Sequence, residues 1–543
     1  MSPLRPVERL DTHEVTNQPP PLEDVDLFNG DRALHDALRH WGGAGHVERL
    51  SDLGRRCGSA EVIDWGVQAN RVPPVLDTHD RYGRRIDEVT FHPAYHQLMD
   101  LGLGAGLASS AWDGTPNGHL LHAAILFLTG QADSGTSCPM TMTYASVAAL
   151  QVDPAAGEPW IRGVLSGRYD PAVRPAGDKA GVTLGMAMTE KQGGSDVRAN
   201  TTRADMTRAG PVGEDGWYAL TGHKWFCSAP MCDAFLTLAQ APGGLTCFVL
   251  PRWLPDGTRN AGFRVVRLKD KMGDRSNASS EVEYHGALAQ RLGEEGRGVA
   301  TIIRMVQHTR LDCVVGSALQ MRGALAQAVW HAAHRTAFQK RLIDQPMMAA
   351  VLTDLAVESE AATALSMRLA ATFDTDDAVG RLLTPVAKYW VCKRAPNLVY
   401  EAMEALGGAG YVETGPMPRL FRQSPLNAIW EGSGNVIALD VLRAAGREPE
   451  AVQALRDWLG SQAGKSADYD RFIAGLDVTA HEAGARLAVE RLALAAQAAA
   501  LLEMDSPSAE AFIALRLRPR GMAYGAYEVE VDQPAVLERA MPA

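Results

Sequence analysis

The period of the hydrophobic pattern changes twice along this chain of 543 residues, and the order of the periods limits the folds open to it. Residues 31–180 space their apolar side chains at helical intervals. Residues 181–292 carry short apolar runs separated by Gly, Pro and Asp-Gly pairs, which is typical of a small β-barrel or sandwich. Helical spacing returns over residues 293–445. Because helices and strands occupy separate blocks, the sequence predicts an α+β fold and not an alternating β–α–β sheet.

Two further segments flank these three blocks. Residues 1–30 are rich in proline and polar residues, which predicts an extended arm that either wraps a neighbouring subunit or frays as a free terminus. The pattern of residues 446–543 predicts an additional helical domain at the C-terminal end. The chain is too long for one hydrophobic core, so we expect the arm and the four domains to form separate units.

Composition and charge exclude several classes of protein. The formal net charge of -11 repels nucleic acid and anionic membranes, so any DNA contact needs a local basic patch. No apolar run reaches the roughly 18 residues of a membrane span, and no signal peptide is evident. The seven cysteines are scattered, which suits a reducing cytoplasm. His223, Cys227 and Cys232 lack a fourth ligand at zinc-site spacing, so no metal is predicted.

Local patterns predict individual elements within the blocks. Residues 216–226 alternate as a hairpin pair. A helix over residues 142–150 is expected to open with Ser137 as its N-cap and Pro139 in its first turn. Long bundle helices are expected over residues 299–331, 346–372 and 385–406.

An acidic residue stands directly ahead of a predicted helix in the bundle block. Apolar residues recur at helical spacing after Ser433, so a helix should begin near that residue. Glu431 then lies just before its N-terminus, beside Trp430 and two glycines, Gly432 and Gly434. The helix dipole favours the carboxylate anion, whereas apolar surroundings raise its pKa. Glu431 is therefore either a candidate base or only an anion that matches the dipole of a capped turn.

Three loops have residues suited to a phosphate or a flat ring. Residues 189–196, Thr-Glu-Lys-Gln-Gly-Gly-Ser-Asp, offer hydroxyls and free backbone N–H groups, although such loops also make plain turns. Residues 407–411 hold three glycines where a helix stop needs one. In the basic stretch 334–341, Arg335 could hold a pyrophosphate and Phe338 could pack on a ring, or the stretch could simply connect two helices.

Taken together, these motifs resemble the acyl-CoA dehydrogenase flavoenzymes. The resemblance rests on the order of the blocks, the loop at 189–196, Arg-x-x-Phe at 335–338, Gly-Gly-x-Gly-Tyr at 407–411 and Trp-Glu-Gly-Ser-Gly-Asn at 430–435. With the Asn-Gln-Pro-Pro-Pro arm and the extra C-terminal domain, the chain is similar over nearly its whole length to the AidB group. That group is linked to the bacterial adaptive response to DNA alkylation.

The resemblance implies an FAD cofactor shared between subunits, and hence a homo-oligomer, expected to be a tetramer. The residues that match FAD-contacting positions of the family are Met188, Thr189, Gly194, Ser195, Phe226, Ser228, Arg335, Phe338, Glu404, Gly407, Gly408, Ser433 and Asn435. Departures from the family pattern include Lys191 in place of a proline and Trp430 in place of a smaller or phenolic residue.

Glu431 matches the catalytic glutamate of most members of the family. The implied reaction is abstraction of the α-proton of a short or branched acyl-CoA by Glu431, with hydride transfer from the β-carbon to flavin N5. In the family the backbone N–H of this glutamate helps to hold the thioester carbonyl. Some members carry the base at the position of Thr309, which cannot serve as one here. Arg310 and Trp430 match positions beside the substrate.

The AidB group also suggests a function of another class, a flavin-containing protein that binds double-stranded DNA and protects it from alkylation. The candidate phosphate contacts are Arg443, Arg516, Arg518 and Arg520. For the arginines of residues 516–520, a solvated charged edge is the competing interpretation.

Overall fold

The computed structural model describes residues 7–207, 216–477 and 481–542. An N-terminal block is mostly helical, as the sequence predicted. Its elements are α1 Arg32–His40, α2 Val47–Cys57, α3 Ala60–Arg71, β1 Val75–His79, β2 Arg85–Thr90, α4 Pro93–Gly104, α5 Gly118–Ala132, α6 Ser134–Leu150 and α7 Pro154–Leu165. Helices α5 and α6 are buried along nearly their whole length, because almost every residue in them is apolar or small. The antiparallel hairpin β1–β2 was not predicted from the sequence.

The start of α6 lies three residues earlier than the predicted cap. Asp133, not Ser137, caps the helix by accepting a hydrogen bond from the N–H of Thr136 at 2.9 Å. The Asp133 carboxylate is also bound by Ser276 Oγ at 2.7 Å and Asn70 Nδ2 at 2.7 Å. These tertiary contacts fix the helix start, so Pro139 lies inside the helix and not in its first turn.

The middle block forms a small closed β domain. Its strands are β3 Leu184–Ala187, β4 Arg203–Met206, β5 Trp217–Ser228, β6 Ala234–Ala241, β7 Gly244–Pro251, β8 Phe263–Leu268 and β9 Ser279–Leu292. They follow the order β3-β6-β4-β5-β9-β7, and β8 adds to β9. The pairing of β6 with β7 closes the sheet on itself, which makes it a barrel and not a two-sheet sandwich.

The hairpin predicted over residues 216–226 is wrong, because these residues belong to one continuous strand, β5. Gly222, in the middle of this strand, allows a close approach of two chain segments. A Cβ atom on Gly222 would lie 2.7 Å from the Cα of Thr202. Glycine therefore marks crowding inside the barrel at this position and not a reversal of the chain.

The third block is a bundle around one long helix. Its elements are α8 Gly298–His334, β10 Thr336–Ala337, β11 Lys340–Arg341, α9 Pro346–Thr375, α10 Gly380–Ala405, α11 Gly408–Tyr411, α12 Met417–Gln423 and α13 Gly434–Arg447. Helix α8 is buried on most of its circumference, since it packs against α5, α6, α9, α10 and β7. It therefore joins all three blocks and brings side chains of the N-terminal block and the barrel to one region.

The last segment packs on the bundle. It contains α14 Pro449–Gly460, α15 Ala467–Ala474, α16 Ala485–Glu503, α17 Ala509–Arg516 and α18 Gln533–Ala540. The Ala-rich helix α16 lies against α9, α10 and α13. Small side chains along α16 permit this close packing between helices. Among the residues described, no helix is both long and apolar enough to cross a membrane.

Arginines of this last segment form ion pairs with acidic residues of α9, and this buried network corrects a prediction. Arg516, whose side chain is 6% exposed, pairs with Asp354 and with Glu358 at 2.7 Å. Arg520 binds Asp354 at 3.0 Å. Arg518 is exposed and pairs with Asp468. Both predictions for these arginines, contact with DNA phosphates and a solvated charged edge, are therefore wrong for Arg516 and Arg520. Their charges pair with buried carboxylates and stabilise the fold.

The N-terminal arm runs along its own chain. Asn17 exchanges two hydrogen bonds with the backbone of Thr336, at 2.8 Å and 2.9 Å. Arg335 donates to the carbonyl of Asn17 at 2.8 Å, and Trp330 Nε1 donates to the carbonyl of Pro20 at 2.8 Å. The arm is thus attached to the end of α8 and the hairpin β10–β11, and does not fray over these residues.

Candidate active site

Glu431 stands at a strained point of the loop between α12 and α13. Its φ is +56°, in the left-handed region that non-glycine residues avoid. Helix α13 begins at Gly434 with Ser433 as N-cap, as predicted, but the Ser433 side chain makes no capping hydrogen bond. Asn435 is exposed, and its amide oxygen accepts a hydrogen bond from Arg486 at 3.2 Å. Strain at an ionisable residue is typical of functional sites, so the loop is more than a helix start.

The Glu431 carboxyl is half-buried and held by one hydroxyl. Thr309 Oγ1 on α8 donates to Glu431 Oε2 at 2.8 Å. Burial raises the pKa of Glu431, and the carboxylate of Asp312 adds to the rise. The Thr309 hydrogen bond and the charges of Arg310 and Lys388 oppose it without cancelling it. A carboxyl with a raised pKa is a stronger proton acceptor once ionised, which suits a general base.

Two buried cationic side chains hold the backbone around Glu431. Lys388 on α10 donates to the carbonyl of Trp430 at 2.8 Å and to that of Gly432. Arg310 donates to the carbonyl of Glu431 at 3.1 Å and pairs with Asp440 at 2.7 Å. Arg310 therefore holds the loop to α13, and its predicted place beside a substrate stays a prediction.

Trp430 is tied down beside the base. Its indole N–H donates to Asn427 Oδ1 at 2.8 Å, and the ring packs partly buried against the core. Trp430 is therefore held in place at the position that precedes Glu431 in the chain.

The loop after β3 presents exposed polar groups from a rigid base. Glu190 is fully buried and accepts hydrogen bonds from Lys224 Nζ at 2.9 Å, Thr202 N at 3.1 Å and Thr201 N at 2.7 Å. Lys224, also buried, donates to the carbonyl of Leu238 at 2.8 Å. This pair anchors the loop to the barrel.

The exposed side of that loop offers donors to a ligand. Ser195 is exposed, and Gly194 is required for the loop to close over Thr189, because a Cβ there would lie 2.5 Å from Thr189 Oγ1. Met188 is half-buried, and its carbonyl accepts from Asn200. The N–H of Trp225 in β5 donates to the carbonyl of Thr189 at 2.7 Å, which joins the loop to the strand that carries the next candidates.

Strand β5 contributes a flat ring and a hydroxyl. The Phe226 ring is 50% exposed, with Lys269 Nζ at 4.8 Å from its centroid. Ser228 Oγ lies 3.2 Å from Ser279 Oγ at the end of the strand. An exposed ring and hydroxyl next to the Thr189 loop can hold the polar edge of a planar heterocycle.

One buried thiol connects the barrel side and the bundle side of the site. Burial raises the pKa of Cys138, on α6, to about 12. A hydrogen bond with Ser228 lowers that pKa and the negative charge of Glu431 raises it. Ser228 at the end of β5 and Glu431 before α13 are therefore both close enough to this thiol on α6 to influence its pKa.

The remaining candidates lie apart from Glu431. Phe338 is 94% exposed with φ +51°, and Glu404, Gly407 and Gly408 are exposed at the end of α10. Within the described part of the chain, Arg335 bonds to the arm and none of these side chains forms a hydrogen bond or ion pair with Glu431 or the Thr189 loop. Phe338, Glu404, Gly407 and Gly408, here called the outward-facing group, are therefore each exposed on the surface of the bundle.

Sequence reasoning missed Lys388, which touches both neighbours of the base. Its signal was one lysine in an otherwise apolar stretch, Leu-Thr-Pro-Val-Ala-Lys-Tyr-Trp-Val-Cys, at residues 383–392. A lysine there is only 1% exposed and needs acceptors inside the protein. The anchoring pair Glu190–Lys224 was missed because it joins residues 34 positions apart.

Comparisons with known proteins match each of the first three blocks of the chain. The AidB N-terminal domain of the adaptive response protein matches residues 17–171, and the middle and C-terminal domains of acyl-CoA dehydrogenases match residues 185–287 and 296–446. The chain is 43% identical to AidB of Escherichia coli (strain K12) over 522 residues, which are 94% of this chain and 95% of that protein.

Two solved structures share the fold over most of the chain. Bd2924 in its apo form is 27% identical, with a TM-score of 0.82 over 90% of this chain and 99% of that one. Caenorhabditis elegans ACDH-11 in complex with C11-CoA is 26% identical, with a TM-score of 0.81 over 92% of each chain.

Proposed function

The chain belongs to the AidB group of the acyl-CoA dehydrogenase family, and from that premise we propose that it is an FAD-dependent oxidoreductase that dehydrogenates the Cα–Cβ bond of an acyl-CoA. The observation that carries the proposal is the placement of Glu431, a half-buried carboxyl of raised pKa that Thr309 holds at 2.8 Å from α8, the helix that packs against strand β7 of the barrel.

The residues of the barrel fit a flavin. The Thr189 hydroxyl and the loop N–H groups suit a pyrimidine edge, Ser195 suits the pyrophosphate, and the exposed Phe226 ring suits a face of the tricycle. Gly194 keeps clear the space that a side chain would take beside Thr189. Bound there, FAD would supply the hydride acceptor for the β-carbon.

The residues of the bundle perform the proton chemistry. Glu431 in its ionised form takes the α-proton on its carboxylate, and Thr309 orients that carboxylate through its 2.8 Å hydrogen bond. A positioned base contributes roughly 10²–10⁴-fold. The half-buried surroundings limit the hydration of the carboxyl, which strengthens its interaction with the substrate. We expect Trp430, a large residue held in place directly before Glu431, to favour a short or branched chain.

We propose a homo-oligomer, a tetramer in the family pattern, in which the outward-facing group reaches the FAD of a neighbouring subunit. A phenylalanine that is 94% exposed and three exposed residues at the α10 terminus are available for an interface of this kind. The variant Phe338→Asp should release dimers or monomers in light scattering and lose FAD. An intact assembly with full FAD would contradict this placement.

The dehydrogenase proposal is tested by anaerobic titration of the purified holoprotein with saturated acyl-CoAs. The series runs from four to twelve carbons and includes branched chains, and the oxidised flavin absorbance is followed. Bleaching with at least one substrate is expected, strongest for short or branched chains. A protein without flavin that does not take up added FAD, or no bleaching across the series, would contradict the proposal.

Binding of double-stranded DNA has less support than dehydrogenation. Of its four candidate arginines, Arg516 and Arg520 are committed to buried carboxylates, which leaves Arg443 and Arg518 on the surface. The charge of -11 opposes broad affinity. If a local groove binds DNA, retention falls steeply with salt and Arg443→Ala reduces the slope by about one. Absence of binding at low salt removes this function.

A further inference from the structure

Three successive backbone carbonyls around the base are each held by a buried cationic side chain. Lys388 binds the carbonyls of Trp430 and Gly432, and Arg310 binds that of Glu431 between them. Lys388 is 1% exposed and Arg310 is 6% exposed. Among the residues described, Lys388 has no carboxylate within ion-pair distance, so backbone carbonyls are the acceptors of its ammonium group.

The clamp formed by Lys388 and Arg310 explains how Glu431 keeps its left-handed conformation. A φ of +56° costs a side-chain-bearing residue roughly 1–2 kcal/mol. Such strain persists only where the surrounding structure over-determines the backbone. Three consecutive carbonyls held on the side of α8 and α10 meet that requirement, because neither peptide next to Glu431 can rotate without breaking a buried hydrogen bond.

Holding the carbonyl of Trp430 also fixes the direction of an N–H group. A peptide unit is planar and trans, so its C=O and N–H point in opposite directions. With the Trp430 carbonyl on Lys388, the N–H of Glu431 points away from Lys388. In the described part of the chain this N–H has no acceptor. A donor that is fixed in direction and left unpaired next to a base is arranged to bind an oxygen of the ligand.

We propose that Lys388 is a positioning residue, which aims the backbone N–H of Glu431 at the thioester carbonyl oxygen of the substrate. The inference rests on the proposed dehydrogenase function and adds a residue to it. As Glu431 takes the α-proton, negative charge develops on that oxygen, and the N–H stabilises it without reorganising. Loss of one such donor typically costs roughly 10²–10³-fold in kcat.

The test uses the variants Lys388→Met and Lys388→Arg in the holoprotein. Methionine is similar in length to the lysine side chain but lacks its N–H donors, whereas arginine keeps N–H donors and can restore part of the clamp. The matched control is Lys179→Met, which removes another buried lysine, the partner of Asp233 at 2.7 Å, without touching the Glu431 loop. Any effect of lost stability alone should appear equally in the control.

The spectroscopic probe is a 3-thia-acyl-CoA. Its α-proton can be removed, but sulfur in place of the β-carbon prevents hydride transfer, so the enolate accumulates beside the oxidised flavin and gives a long-wavelength charge-transfer band. In Lys388→Met we expect the pH midpoint of that band to rise by at least one unit. We also expect a kcat at least 100-fold lower with a KM changed less than threefold, and partial recovery in Lys388→Arg.

Each outcome is decisive. A wild-type midpoint and kcat in Lys388→Met would overturn the role of Lys388, as would equal losses in Lys179→Met. If Lys388→Met does not fold, Lys388→Arg must show an intermediate midpoint, and an unshifted one overturns the inference. If the wild-type holoprotein gives neither this band nor bleaching, the dehydrogenase proposal itself fails, and the inference fails with it.

Discussion

Replacing Arg516 by methionine should destabilise the protein, although the residue belongs to a cluster that first suggested DNA contact. The substitution leaves two acidic side chains in the interior, Asp354 at 0% and Glu358 at 2% exposure. Breaking a buried ion pair costs about 3–5 kcal/mol. Asp354 keeps Arg520 and Glu358 keeps Arg394, so we take the lower end, about 3 kcal/mol.

Thermal unfolding with the flavin bound gives the measurement. At roughly 2–4 °C per kcal/mol for a domain of this size, Arg516→Met should melt about 6–12 °C below wild type. The control is Arg443→Met on the exposed face of α13, which should change stability by less than about 0.5 kcal/mol. If Arg516→Met melted within 1 °C of wild type, the network would not hold the C-terminal segment to the bundle.

Three smaller predictions concern the pKa of two groups and a glycine motif. Thr309→Val removes the bond that lowers the pKa of Glu431, so the pH onset of flavin bleaching should rise by about half a unit or more; an unmoved profile contradicts the bond. Burial lowers the pKa of His308 to about 4, so the free energy of unfolding should fall as the pH drops from 6.5 towards 4, by up to about 1.4 kcal/mol per pH unit. The variant His308→Asn should flatten this slope in melting experiments, and an unaltered slope would contradict the prediction. Gly410→Ala should lower the melting temperature, because its Cβ would lie 2.1 Å from the carbonyl oxygen of Met403. Gly408→Ala should not lower it, because a Cβ there meets open space. Equal melting temperatures of the two variants would contradict this prediction.

The block order and the long helices could be predicted from sequence because they rest on local periodicity. The helix predicted from residue 299 begins at Gly298, and the one predicted from residue 346 begins at Pro346. The family motifs likewise lie in continuous stretches, so Glu431 and the Thr189 loop could be identified from the order of residues alone. These signals require no knowledge of which segments meet.

What failed depended on contacts between distant segments. The hairpin predicted over residues 216–226 is one strand, in which Gly222 lies against Thr202 of another segment. Ser137 is a good cap by type, but Asp133 is fixed by residues from two other segments. Arg516 looks solvated in a stretch rich in arginine until Asp354, 162 positions earlier, is seen beside it. The pattern of charges in one stretch does not indicate which distant residues pair with those charges in the folded protein.

Anaerobic mixing of Glu431→Gln holoprotein with the best acyl-CoA of the series tests the central claim most directly. Glutamine keeps the size of the side chain and the contact with Thr309 but cannot take a proton. We expect FAD to remain bound at wild-type stoichiometry and bleaching to fall by at least 100-fold, since a positioned base contributes roughly 10²–10⁴-fold. Bleaching at the wild-type rate would show that another group removes the α-proton.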